Sequence, residues 1–201
     1  MKTRAGLTVD RIIQAAAALA DEVGFEAVTL SALARSFGVK DASLYSHVKN
    51  IQDVRTRVAL LAAEEMGAEL AAAIAGRSAE DALAAFADAY RDFALRYPGR
   101  YAATQMRLDL DQIADAKGFI LNIELTYAVL RAYDLEEPDL TDAVRFMRST
   151  FHGFINIEAV GGFGHPRGID ASWRRTVAAV HSVLRQWPRT KAAQGRSQAS
   201  R

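Results

Sequence analysis

The chain has 201 residues, half of them apolar and about a quarter charged, with a formal net charge of +1. That balance is ordinary for a soluble globular protein with a buried core, and it argues against a disordered or fibrous chain. Cysteine is absent, which excludes disulfides, thiolate metal sites and a cysteine nucleophile and fits a cytoplasmic setting, and no signal-peptide core or run of about 18 uncharged apolar residues points to a membrane.

The alanine-rich sequence reads as helix after helix, so the expected fold class is all-α. Thr8 is a candidate N-cap, and after it Val9, Ile12, Ile13, Ala16, Leu19, Ala20 and Val23 recur in three- and four-residue steps until Gly24. Thr29 caps a second, short helix with Leu30, Leu33, Ala34 and Phe37 inward, and Gly38 ends it. A third short helix is expected from about Lys40 to His47, followed by a polar break at Lys49 and Asn50. A long helix follows from about Gln52 to Ala75. Ser78 opens the next, which carries Ala82, Leu83, Phe86, Ala89, Tyr90 and Phe93 on one face and stops by Pro98. Tyr101 to Leu108 reads as a short helix. Asp111 to Tyr133 reads as a longer one, with Ile113, Phe119, Ile120, Ile123, Tyr127 and Leu130 inward. Pro138 and Asp139 start a helix that runs to about Val160, and a glycine-rich loop spans Gly161 to Gly168. The last helix, Ser172 to Trp187, has the stripe Trp173, Val177, Val180, Leu184 and Trp187. Residues 189–201 are polar and basic, a composition expected to be disordered.

The informative segment is Val28 to Val54, VTLSALARSFGVKDASLYSHVKNIQDV. Two short helices flank a turn at Gly38, behind a long amphipathic helix, in the outline of a three-helix helix-turn-helix. Leu30, Leu33, Phe37, Val39 and Leu44 would make its small core, leaving Lys40, Asp41, Ser43, Ser46 and His47 on the outer face. Net charge is nearly balanced, but Lys2, Arg4, Arg11, Lys40, Lys49, Arg55 and Arg57 concentrate cations in this region, and phosphate attraction acts locally.

The run VTLSALARSFGVKDASLYSHVKN resembles the DNA-binding domain of the TetR family of repressors, over roughly residues 8 to 55. The shared features are Thr29, the Leu33-Ala34 pair, the Gly38-Val39 turn and the LYxHVKN run from Leu44 to Asn50. The resemblance implies a helix-turn-helix DNA-binding domain at 1–50, a helical effector-binding and dimerisation domain at 51–188, and a tail at 189–201. It assigns phosphate contacts to Thr29, Tyr45, His47 and Lys49 and base contacts to Ser31, Asp41, Ala42 and Ser43, with Lys40 beside them. One departure is Ile51, where the family usually has a phosphate-anchoring lysine. Lys49 or Arg55 is the substitute to look for. In the C-terminal part, FHGFINIEAVGGFGHP, from Phe151 to Pro166, resembles the W/F-x-HG motif of one branch of the family, as does YRDFALRYPGRYAAT, from Tyr90 to Thr104.

The implied partners are a palindromic double-stranded operator, a second copy of the chain and an unidentified small molecule. A helical bundle commonly leaves a cavity lined by apolar groups and a few polar ones. The candidates for its lining are Phe86, Tyr90, Gln105, Arg107, Asn122, Ile123, Tyr127, Met147, Phe151 and His152. Such a lining suits an apolar or amphipathic ligand with one polar handle, whose binding releases the operator. An activator or a ligand-independent regulator of the same fold would share the reading head. Val177, Val180, Leu184 and Trp187 are placed at the subunit seam. The four histidines lack metal spacing, the adjacent carboxylate pairs point to different helix faces, and no nucleotide or cofactor motif occurs, so neither a metal, a cofactor nor catalysis is expected.

Overall fold

The computed structural model describes residues 7–109 and 116–190. Its described residues form eight α-helices and no strand, as an all-α reading requires. They are α1 Val9–Val23, α2 Leu30–Phe37, α3 Ile51–Ile74, α4 Ala79–Arg96, α5 Pro98–Thr104, α6 Lys117–Leu130, α7 Asp139–Ala159 and α8 Ile169–Arg185. Short 3-10 turns lie at Phe25–Ala27, Asp41–Ser43 and Arg131–Tyr133. The start of the helix expected from Asp111, with Ile113, and the tail beyond residue 190 lie outside the described residues. Two ends differ from expectation for local reasons. Pro98 sits at the first position of α5, where its missing N–H costs nothing, and α8 begins one turn early at Ile169.

Local signals explain the N-terminal helices. Thr8 Oγ1 accepts from the Arg11 amide at 3.3 Å, and Thr29 Oγ1 accepts from the Ala32 amide at 3.1 Å, so both threonines cap. After α2 the chain enters the left-handed region at Gly38 (φ +66°). The Gly38 amide bonds the Arg35 carbonyl and the Val39 amide bonds the Ala34 carbonyl, each at 3.0 Å. These two bonds satisfy the last carbonyls of the helix and turn the chain sharply.

The chain divides into two compact packing units, residues 1–69 with 92–122 and residues 70–91 with 123–201. The division falls within α3 and α4. In the first unit Ile12, Ala16, Ala20, Leu33, Leu44, Val54 and Val58 are fully buried together, with Leu30, Phe37, Val39 and Ile51 partly buried at the edge. Two glycines let backbones touch. A Cβ on Gly99 of α5 would lie 2.0 Å from the Ala20 carbonyl carbon of α1, and one on Gly118 of α6 would lie 2.4 Å from the Glu64 nitrogen of α3. Arg100 follows Gly99. Its amide bonds Asp21 Oδ1 at 2.9 Å, and its guanidinium faces Asp21 at 3.3 Å and Glu65 at 3.5 Å. Burial pushes both carboxyls above their ordinary range.

Gly118 also corrects the expected face of α6. With about 100° between successive residues, the contact at Gly118 turns Leu121, Asn122, Leu125 and Val129 inward. Ile120, Ile123 and Tyr127 then fall on the opposite side, at 39%, 52% and 37% exposure, not in a core.

In the second unit, Phe86, Met147, Phe151, Ile155, Trp173, Val177, Val180 and Leu184 are buried. The Trp173 ring lies 5.4 Å from Phe151 and 5.1 Å from Phe154, and its Nε1–H donates to Asp88 Oδ1 at 2.8 Å. The placement of Val177, Val180 and Leu184 at a subunit seam is corrected here. Val180 keeps 2% of its surface, because this stripe covers the chain's own core and has no area left for a partner. Trp187 is half-buried, edge-on to Phe146 at 5.9 Å.

Candidate nucleic-acid interface

The reading segment begins where Gly38 turns the chain out of α2. Lys40 is extended, and Asp41–Ser43 then form a tight turn, with the Ser43 amide on the Lys40 carbonyl and the Leu44 amide on the Asp41 carbonyl, each at 2.9 Å. One further turn follows, closed by the Val48 amide on the Leu44 carbonyl at 3.0 Å. The segment is therefore shorter and tighter than the helix expected from Lys40 to His47. Two buried anchors, Leu44 and Val48, decide its shape.

Those anchors push the intervening side chains outward. Tyr45 is 58% exposed. Lys40, Asp41, Ala42, Ser43 and Lys49 are exposed as well, His47 is half-buried, and Thr29 and Ser31 stand exposed at the start of α2. The nine DNA-contact candidates thus lie on α2's first turn, the reading turn and the approach to α3, all within the first packing unit.

One feature was invisible in the sequence. Ser31 Oγ donates to Asp41 Oδ2 at 2.5 Å, so two residues assigned to bases are bonded to each other. The Asp41 carboxylate ties the reading turn to α2, and any use of it as an acceptor for cytosine competes with this bond. Ser31→Ala and Asp41→Ala are expected to be non-additive in operator affinity, by roughly 0.5–1 kcal/mol for an exposed pair. A double-mutant cycle read by fluorescence anisotropy checks this, and strict additivity would mean that the bond does not position the turn.

The structure also separates the two substitutes for the lysine replaced by Ile51. Ile51 itself packs against the head's core. Arg55 is committed elsewhere: its Nη2 donates to the Glu26 carbonyl at 2.8 Å, its Nη1 pairs with the Glu26 carboxylate at 3.1 Å, and it lies over the Phe25 ring. Lys49 keeps an exposed side chain at the entry to α3. Asn50 caps that helix by accepting from the Asp53 amide at 2.9 Å, and Asp53 accepts from the Lys49 amide at 3.0 Å. Burial raises the Asp53 carboxyl, but the Lys49 amide and Arg57 outweigh it and hold it below its ordinary range. Lys49→Ala should therefore weaken binding to all DNA sequences alike and reduce the salt slope by about one unit, whereas Arg55→Ala should leave the slope unchanged. Affinities measured across a salt series decide between them.

The ten ligand candidates divide between the two units. Phe86, Tyr90, Met147 and Phe151 are packed core of the second unit, and Tyr90 and Phe151 have ring centres 6.3 Å apart. His152 is half-buried beside Asn156, at 2.8 Å, and burial, then Arg148, lowers its pKa from the ordinary value. Ile123 is exposed. Gln105, Arg107 and Asn122 belong to the first unit, where the Asn122 amide donates to the Ala63 and Gly118 carbonyls, each at 2.9 Å. Apolar spacing marks core as readily as pocket. From that set, Tyr127 does line a cleft of about 660 Å³, with Glu124, Leu130, Arg131, Asp134, Leu135 and Leu140. Among the described residues there is no group of three or more His, Cys, Asp or Glu able to hold a metal ion, and no helix long and apolar enough to cross a membrane.

Comparison with known proteins accords with this geometry. Residues 12–58 match the family described as bacterial regulatory proteins of the tetR family, and residues 83–180 match the tetracyclin repressor-like C-terminal domain. The HTH-type transcriptional regulator Rv0681 of Mycobacterium tuberculosis is 34% identical over 161 residues, covering 78% of this chain and 72% of that protein. YobS of Bacillus subtilis, likewise an HTH-type transcriptional regulator, is 30% identical over 163 residues, covering 81% of this chain and 85% of its own. Among solved structures, TetR-Q116A of Acinetobacter baumannii, in complex with minocycline, superposes with a TM-score of 0.65 at 19% identity, covering 92% of this chain and all of that one. The relatives are regulators, not enzymes, and both halves of the chain match one family. This chain belongs to the TetR family of transcriptional regulators.

Proposed function

We propose that the chain is a homodimeric repressor that binds a palindromic double-stranded operator and releases it when a small apolar or amphipathic ligand binds within residues 51–188. The observation that carries the DNA half is the exposed Tyr45 between the buried anchors Leu44 and Val48, flanked by Lys40, Ser43 and Lys49. Phosphate groups suit Tyr45, Lys49 and the Thr29 end of α2, and base edges suit Ala42 and Ser43. The ligand half is supported by the cleft at Tyr127, whose leucines and few polar groups have the character such a molecule needs, and by the minocycline-bound neighbour that shares the fold.

The subunits pair through α7 and α8, by other faces than the buried stripe. On α7 and its C-cap, Ser149, Gly153, Ile157 and Val160 lie on one outward side, with Ile157 and Val160 exposed and, among the described residues, nothing within 4 Å of a Cβ at Gly153. Thr176, Ala179 and Val183 continue the same character on α8. Gly153→Arg and Ala179→Arg should each give monomers in sedimentation at micromolar concentration and abolish two-half-site binding, while leaving the melting temperature of the protomer nearly unchanged. Variants that remain dimeric would move the seam elsewhere.

The direct test is a gel shift on the DNA upstream of the chain's own gene, with a reporter assay beside it. Specific retention with reporter output lowered by the protein is the expected result. Raised output would make the chain an activator, and the absence of any specific DNA fragment in a selection from random sequences would sink the operator reading.

A further inference from the structure

A second cleft, of about 450 Å³, opens between the end of α3, the first turn of α4 and the C-terminal half of α6. Its chemistry is unlike that of the Tyr127 cleft. Ile74, Ala82 and Val129 make an apolar floor, and alanines at the remaining wall positions leave the space unfilled. Arg77, Ser78 and Arg131 supply its polar groups, and no carboxylate lines it. Both arginines are exposed, and among the described residues neither guanidinium has a hydrogen-bond or ion-pair partner. Arg91 of the same unit, by contrast, is fully engaged with Glu158 and Asp170. Arg131 stands on the ridge shared with the Tyr127 cleft, and the acids Glu124 and Asp134 lie on that other side.

We infer that this cleft binds a monocarboxylate with an apolar body, with Arg77 and Arg131 holding the carboxylate and the Ile74, Ala82 and Val129 floor taking the body. Two guanidiniums, one from the loop before α4 and one from the turn after α6, together with a hydroxyl, suit a planar anion with two acceptor oxygens. The volume lies within the range of small-molecule sites, about 300–1,000 Å³. A free inorganic anion would satisfy the arginines but leave the apolar floor wet. A neutral apolar molecule would cover the floor but leave the guanidiniums without a counter-charge. An amphipathic acid answers both. The binding stands by itself, and only its use as the releasing signal rests on the repressor reading above.

The probes are octanoate, hexanoate, octanol and octylamine, titrated by calorimetry into the full chain, with operator affinity measured alongside. Octanoate is expected to bind. Hexanoate should bind roughly fifteenfold more weakly, because each of the two methylenes it lacks is worth about a factor of four. Octanol and octylamine should be weaker than octanoate by at least roughly tenfold for want of the charge-assisted bonds. Arg77→Gln and Arg131→Gln, both at exposed positions, should each weaken octanoate by a similar factor and bring octanol and octanoate together. Ala128→Leu should block the acid while keeping both charges. Octanol binding as tightly as octanoate, or octanoate binding unchanged in both arginine variants, would overturn the inference, as would failure of octanoate to bind at all. Octanoate that binds as expected but leaves operator affinity unaltered would confirm the site and instead count against release by this ligand.

Discussion

Gly99→Ala is expected to destabilise the chain by about 3 kcal/mol or more, although the new residue is the better helix former. Helix propensity alone would favour alanine by up to about 1 kcal/mol. Packing reverses the sign. The added Cβ would sit 2.0 Å from the Ala20 carbonyl carbon and 2.1 Å from its oxygen, and these are backbone atoms that cannot swing aside. α5 must then retreat from α1 by more than an ångström. That retreat breaks the 2.9 Å bond from the Arg100 amide to Asp21 and separates Arg100 from two half-buried carboxylates. Overpacking of this kind costs about 1–3 kcal/mol where side chains can yield, and more where they cannot. Urea denaturation followed by circular dichroism measures the loss. The exposed Ala102→Gly in the same helix is the control for propensity and should cost about 1 kcal/mol. A Gly99→Ala protein as stable as the parent would mean that α1 and α5 are not in backbone contact.

The second large effect is expected at Arg91. Its Nε and Nη2 hold the two oxygens of Glu158 at 2.8 and 2.5 Å, Nη2 also meets Asp170 at 2.8 Å, and the guanidinium lies over Trp173 at 5.5 Å. The Arg91 and Glu158 side chains are only 12% and 11% exposed. The hydrogen bonds to Glu158 raise the guanidinium's pKa even against burial, so Arg91 stays charged. Arg91→Met leaves the Glu158 carboxylate shielded from water and without a counter-ion, a change that costs about 3–5 kcal/mol. Arg91→Met with Glu158→Leu should recover most of that loss, because a well-packed apolar pair can replace a buried ionic one. Asp170→Asn should change stability by no more than about 0.5 kcal/mol, since Asp170 is 80% exposed. Both tryptophans, Trp173 and Trp187, lie in or just after α8, so tryptophan fluorescence during denaturation reports on this unit. If the single and double variants unfold together, the ion pair is not what holds α8's start to α4 and α7.

The sequence by itself determined the order of the helices, their caps and the reading head. Those features are local: Thr8 and Thr29 supply an oxygen to amides three residues on, Gly24 and Gly38 take a positive φ, and the spacing from Thr29 to Asn50 carries its own turn. Tertiary structure alone decided which apolar face meets which partner. Periodicity shows that Ile120, Ile123 and Tyr127 share a side, but the backbone contact at Gly118 turns that side outward. The stripe of α8 has the spacing of a subunit seam and of an internal core alike, and the depth of Trp173 in its own unit selects the core. Ser31 with Asp41, and Arg55 with Glu26, are pairs whose members come together only when the head folds, and each pairing redirects a group assigned to DNA. The clefts have the same origin. A cavity is the space that several helices leave between small residues, so Arg77 and Arg131 become one site only after α3, α4 and α6 have packed.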